Sequence, residues 1–137
     1  MADYNRIDIT TDGQLEEHAV SVIATPGEFV SRTAAGVALP AAGEQVSLIL
    51  LEDFFQGKTI DDDYAANDQA RCLAFKKGDI VLAWLVDEQN VAAGDELEVN
   101  AAGRLIANST GDVVAIAEET LNLTGAAGDA RILVRIA

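Results

Sequence analysis

Cations are scarce in this chain of 137 residues: nine Lys and Arg stand against 23 Asp and Glu, for a formal net charge of -14. Nucleic-acid binding needs clustered cations to neutralise phosphates, so a surface of this sign repels a genome, and it repels anionic membranes for the same reason. The single cysteine, Cys72, excludes an intramolecular disulfide and a cysteine-only metal cluster. Its apolar setting in ARCLAF predicts a buried, unreactive thiol. The single histidine, His18, leaves little for a zinc site or a His-based triad, and no G-x-S-x-G is present. Aromatics are only 5% of the chain, so the core has to come from Ala, Val, Leu and Ile. No apolar run approaches the roughly 20 residues of a membrane-crossing helix. MADYNRIDITTDG has neither the basic head nor the apolar stretch of a secretory leader, and none is expected. A domain of this length can bury roughly two-thirds of the surface its unfolded form exposes.

What the sequence does have is a repeated corner. AAG ends at Gly36, Gly43, Gly94, Gly103 and Gly128. Gly-Asp pairs begin at Gly78, Gly94, Gly111 and Gly128, spaced by 16, 17 and 17 residues. Each pair precedes a run with strand character: IVLAWLV, ELEVN, VVAIAEE and ARILVRI. Glycine turns the chain at positive φ and aspartate bonds its own neighbouring backbone, so the pair ends one strand and launches the next. The spacing predicts antiparallel strand-turn-strand units. In LEVN-AAG-RLIA, a three-residue loop sets Asn100 opposite Arg104, Val99 opposite Leu105 and Leu97 opposite Ala107. Glu96 and Glu98 then fall on the other face. A one-residue slip would put Val99 against Arg104 and lose the apolar match.

The rest of the chain is less regular. ARILVRI puts Ile132, Val134 and Ile136 on one face; VVAIAEE and GDIVLAWLV are expected to be buried on both, with Trp84 in the core. HAVSVIATPG is expected to be a strand ended by Pro26-Gly27, and EQVSLILLED a strand or short helix. TAAGVALPAAGE is expected to be a surface loop, and EDFFQG and DDDYAANDQA to give a helical turn or two. Ile7 and Ile9 alternate in NRIDIT, which predicts an extended arm or an edge strand over residues 1–15, ahead of one β-rich domain at 16–137. The expected fold class is therefore all-β: a compact antiparallel barrel with an N-terminal arm and little helix.

Few residues could carry chemistry. Asp61, Asp62 and Asp63, with Asn67 and Asp68, form the best metal candidate, but consecutive aspartates in an extended chain point to alternating sides. A solvated acidic loop is the expected reading, with no metal and no cofactor. Glu118 and Glu119 are adjacent in a strand and face opposite ways, which argues against an acid/base dyad. Phe54 and Phe55, followed by Tyr64, either anchor their loop on the core or form an exposed hot spot for a partner.

Tyr64 to Ile106, YAANDQARCLAFKKGDIVLAWLVDEQNVAAGDELEVNAAGRLI, resembles the head decoration, or structural cement, proteins of tailed bacteriophages. The features that carry the likeness are Lys77-Gly78-Asp79, Gln89-Asn90-Val91, Gly94-Asp95 and Ala102-Gly103, together with the closing VVAIAEETLN and GDARILVRIA. The resemblance implies a non-enzymatic β-barrel or β-tulip module on the outer surface of the virion capsid. It would bridge major capsid protein subunits and associate with itself, as a homotrimer or a dimer. Tyr4, Arg6, Ile7, Ile9, Phe54 and Phe55 are the expected contact residues. The other reading is a β-rich module that binds calcium or carbohydrate through the loop 54–68.

Overall fold

The computed structural model describes residues 5–137. Among these residues it is all-β, with thirteen short strands and a single turn of 3-10 helix at Phe54–Gln56. Seven strands follow one another in the first half or at its junction: β1 (Asp8–Thr10), β2 (Gln14–Ala19), β3 (Phe29–Thr33), β4 (Gly36–Ala38), β5 (Leu48–Leu50), β6 (Gln69–Ala74) and β7 (Ile80–Leu85). The second half adds β8 (Asn90–Val91), β9 (Glu96–Val99), β10 (Leu105–Ala107), β11 (Ala115–Ala117), β12 (Leu121–Asn122) and β13 (Ala130–Ile136).

A closed five-stranded barrel forms from β7, β10, β9, β11 and β13, with β13 returning to β7. Every pairing in it is antiparallel except the single β10–β7 contact, Leu105 beside Leu85. So few strands leave a narrow lumen, and small or branched side chains fill it: Val81, Ala83, Ala115, Ala117, Ile132 and Val134 are all buried there. The hairpin has the register its sequence predicts, with Val99 beside Leu105 and Leu97 beside Ala107. Gly103 turns it at φ 74°, where a Cβ would lie 2.3 Å from the Phe29 carbonyl oxygen.

The second sheet runs β2-β6-β5-β3-β4. It curls until its ends meet at a Val20–Val37 bridge, where the Ser21 amide donates to the Val37 carbonyl at 3.1 Å. Inside the curl lies a small core of Val20, Ala24, Val30, Val37, Leu48, Leu50, Tyr64, Ala70 and Cys72. The opposite faces of the same strands supply Phe29, Ile49, Leu51 and Leu73 to the barrel core. Strand β5 is thus a wall between two cores, which explains its unbroken apolar run.

The corners share one device. In Thr25–Glu28, Ala41–Glu44, Ala65–Asp68, Lys76–Asp79 and Ala92–Asp95, the fourth amide donates to the first carbonyl at 3.0–3.2 Å. The fourth residue's carboxylate then accepts the first residue's amide at 2.7–2.9 Å. The third residue is Gly27, Gly43, Asn67, Gly78 or Gly94, left-handed in every case (φ 72° to 96°). The Gly-Asp signal is therefore one form of a wider corner, x-x-[Gly/Asn]-[Asp/Glu]. Two of the four Gly-Asp pairs depart from it. Gly111 instead packs against Gly43, where a Cβ would lie 2.4 Å from the neighbouring Cα. Asp129 accepts the Asp87 amide (2.7 Å) and pairs with Arg104 (2.8 Å).

Several expectations need correction. TAAGVALPAAGE is no loop: its first part is strand β4, paired with β3 and pinned by the buried Val37. Two apolar side chains, Val37 and Leu39, among alanines are too weak a pattern to show this. The strand expected in HAVSVIATPG lies earlier, at Gln14–Ala19, because its antiparallel partner β6 begins only after the Ala65–Asp68 corner; Val22 and Ile23 are exposed. Trp84 lies on the outer face of the barrel, half-buried, with Arg104 and Arg131 over its ring at 4.4 and 4.2 Å. Its indole donates to the Pro26 carbonyl at 3.0 Å. Glu98 also departs from expectation: it is buried, accepting the Ser109 (2.5 Å) and Gly111 (3.2 Å) amides, and these bonds hold its carboxyl below the usual range.

The N-terminal stretch is tied into the fold from Ile7 onward. Ile7 is fully buried in the barrel-side core, and its carbonyl accepts the Leu82 amide at 2.8 Å. Asp79, itself buried, holds the β1–β2 link by accepting the Asp12 (2.8 Å) and Gly13 (3.2 Å) amides as well as that of Lys76. Asp79→Ala leaves these three donors without their acceptor and is expected to cost about 2–4 kcal/mol in urea unfolding. Asp95→Ala, which frees one exposed amide, is expected to cost about 1 kcal/mol or less.

Candidate functional site

The sequence-selected contact residues do not form one patch. Tyr4 lies outside the described residues. Ile7 is core, so it is closed to a partner in this fold, and Ile9 is half-buried in β1. Arg6 is exposed and pairs with Asp8 at 3.0 Å. Phe54 and Phe55 are 68% and 77% exposed on the 3-10 turn, so they do not anchor their loop. Tyr64 does: its hydroxyl donates to the Leu51 carbonyl (2.7 Å) and accepts the Arg71 amide (3.2 Å). Burial raises the pKa of that phenol.

Arg6 and Phe54 do meet, in a cavity of about 350 Å³ whose lining also includes Glu52, Lys58 and Arg71. The Arg71 guanidinium donates to the Glu52 carbonyl at 2.7 Å and lies 5.0 Å from the centre of the Phe55 ring. It therefore fixes the turn that presents both phenylalanines. Beyond Arg71 a shallower groove of about 290 Å³ runs past Phe55 to Leu15, Glu16 and Glu17 on β2. Leu15 is 60% exposed, and with the two phenylalanines it makes one apolar face. Glu52 is buried at the edge of the cavity, where its carboxylate accepts the Ile7 amide at 3.3 Å. Desolvation raises its pKa. Sequence reasoning missed Leu15, Glu52 and Arg71. For Arg71 the signal was present, since it alternates with the buried Ala70 and Cys72 and so had to face outward.

The other candidates are occupied by structural bonds. Asp61 pairs with Arg131 (2.8 Å), Asp62 accepts the Thr59 amide (2.8 Å), and Asp63 accepts the Thr25 hydroxyl (2.8 Å). The three carboxylates diverge, and among the described residues no group of three or more His, Cys, Asp or Glu is placed to hold a metal. Glu118 bonds Arg135 (2.5 Å) while Glu119 accepts the Leu133 amide (3.0 Å). Cys72 is fully buried, and desolvation pushes its thiol up to about 12.

His18 belongs to a surface clasp. Its Nε2 lies 2.8 Å from Glu16, and Arg32, across the seam from β3, reaches the same carboxylate at 2.6 Å. Below the Val20–Val37 bridge these side chains span the opening of the curled sheet.

The fold and its surface define a class: a small barrel fused to a curled sheet, cornered by carboxylates, with one exposed aromatic face. No family model matches this chain, and no curated protein matches it. Among solved structures, it is similar to the N base of the head fiber gp8.5 of bacteriophage phi29, with a TM-score of 0.61. The match covers 90% of this chain and 93% of that one at 8% identity, so what the two share is the fold.

Arg32 and then His18 hold the Glu16 carboxyl near about 2, down from 4.5. A carboxyl lowered by folding contributes stability that is present above about pH 4.5 and is lost as the pH falls toward 2. Wild type is therefore expected to melt above Glu16→Gln at pH 6, with the gap closing by pH 2. A gap that does not change with pH would show that the clasp contributes nothing electrostatic.

Proposed function

We propose that this protein is a non-enzymatic structural component of a bacteriophage head, seated on the outer surface of the capsid and in contact with the major capsid protein. The observation that carries this reading is the fold likeness to the phi29 head fiber base, which spans nearly the whole of both chains. The sequence resemblance to head decoration proteins, made on Tyr64 to Ile106, points the same way without using the fold. The net charge of -14 suits an exterior position, because contact with packaged DNA would be repulsive.

On this reading Phe54, Phe55 and Leu15 supply the apolar centre of the capsid contact. Exposed aromatics beside an arginine have the composition of a binding hot spot. Self-association as a trimer belongs to the same reading, supported by the family resemblance, and sedimentation mass checks it.

The test is to add purified protein to heads that lack it and to measure occupancy by electron cryo-microscopy. Decorated heads are expected, with occupancy falling at least tenfold for Phe54→Ser/Phe55→Ser. That double variant should melt within a few degrees of wild type, since neither ring is in the core. Bare heads at saturating wild-type protein would contradict the proposal.

A further inference from the structure

Strand β2 pairs with β6 on one side, residue by residue from Gln14 beside Ala74 to Ala19 beside Gln69. Its other side meets β4 only where the curl closes, at Ala19 and Val20. In an antiparallel ladder, alternate residues direct their amide and carbonyl to the partner and the residues between direct theirs away. Two observations fix which are which. Val20 exchanges bonds with the β6 side, donating to Asp68 (2.9 Å) and accepting from Asn67 (2.6 Å). Ala19 faces the opposite way, with its carbonyl oxygen against Gly36. By parity, Leu15 and Glu17 direct their amides and carbonyls off the sheet edge. Among the described residues no second strand pairs with either, since β2 meets β6 along its length and β4 only at the Val20–Val37 bridge.

An open edge of this kind is a template for another strand. The side chains along it decide which strand. A second copy pairing antiparallel through the same edge would set Glu16 opposite Glu16 or Glu17 opposite Glu17, according to register, and like charges set opposite each other across strands destabilise the pair. A partner bearing a cation opposite Glu17 gains what the second copy loses. Leu15, on the same face as Glu17, adds an apolar seat, with Phe55 forming the outer wall of the adjoining groove. Arg71, the cation in that groove, is held over Phe55 and bonded to the Glu52 carbonyl.

We propose that the free edge of β2 takes an extended segment of a partner protein as an added antiparallel strand. That segment carries Lys or Arg opposite Glu17 and an apolar residue, two positions further on, opposite Leu15. The inference rests on the open edge, the charge of Glu17 and the exposed Leu15; it shares Leu15 and Phe55 with the face assigned above to the capsid but does not require the partner to be a head protein.

The probe is a capped heptapeptide of threonines with lysine third and valine fifth, titrated while the protein's backbone amides are followed by NMR. A saturable shift of the Leu15 and Glu17 amides is expected. Half-saturation should come at least tenfold lower than for the same peptide with glutamate third. Glu17→Pro should abolish the shift at unchanged melting temperature, because the lost amide points away from β6. Glu17→Lys, which keeps the backbone intact, should reverse the preference between the two peptides. Equal response to both peptides, shifts centred away from β2, no saturable shift at all, or an unchanged preference in Glu17→Lys would each overturn the proposal. None of these results would bear on occupancy of heads, so the two readings fail separately.

Discussion

Leu48, Ile49, Leu50 and Leu51 are all fully buried, and they occupy a single layer of backbone. Leu48 and Leu50 project into the curled sheet, while Ile49 and Leu51 project into the core that the barrel shares. Burying side chains of this kind is worth about 1.5–3 kcal/mol each. Leu48 and Leu50 are two of the nine buried residues in the curled sheet's core, and Ile49 and Leu51 join the larger core of 22 that the barrel shares, so one short segment serves both. Its backbone is correspondingly fixed: the Leu50 carbonyl accepts the Gly27 amide and the Leu50 amide donates to Glu28, each at 2.9 Å. The Thr25–Glu28 corner is thereby tied to the wall. Through Glu28 and Arg104, paired at 2.8 Å, the wall is tied in turn to the barrel's outer face at Trp84.

The acidity of the chain becomes intelligible from the corners. Each carboxylate that closes a corner replaces water at a backbone amide and holds a left-handed residue in register with its strand. A protein built from many such corners accumulates negative charge as a consequence of its architecture. The cations are then spent on specific pairings: Arg104 and Arg131 enclose Trp84, Arg32 closes the seam, and Arg71 props the aromatic turn. The large apolar side chains left exposed are Phe54, Phe55 and Leu15, and separately Val22 and Ile23. Phe54, Phe55 and Leu15 are distinguished by the arginine that props them, and they are the face to which the proposed capsid contact is assigned.

Wherever a local pattern sufficed, the sequence was legible. The β9–β10 hairpin could be written down residue by residue, since its turn length and apolar alternation admit one register. Strands β7, β11 and β13 followed from the Gly-Asp pairs ahead of them, whether or not the pair makes the shared corner, and from runs of Ile and Val. Legibility failed where long-range partners decide. Glu98 looked solvent-facing because nothing local shows that the 108–111 loop folds back to donate two amides to it. Trp84 looked like core because the arginines that cover it lie far along the chain. The N-terminal stretch could be read as an extended arm or an edge strand, and the partner β7 and the clamp Asp79, both distant in sequence, make it an edge strand. The aromatic face was half visible: Phe54 and Phe55 were marked, but Leu15 and Arg71 join them only through the β2–β6 pairing.

The account makes β5 the single partition on which both cores depend, and this can be measured through cooperativity. Leu50→Ala cuts only the small core and Ile49→Ala only the barrel-side core, each by about 2–5 kcal/mol. Urea unfolding should be followed in both variants by Trp84 fluorescence, which reports the barrel, and by exposure of Cys72, which reports the curled sheet. Coincident transitions in each variant, both shifted to lower urea, are the expected result. If Leu50→Ala exposes Cys72 while Trp84 keeps its wild-type transition, the two cores are independent and the shared wall is not what holds this protein together.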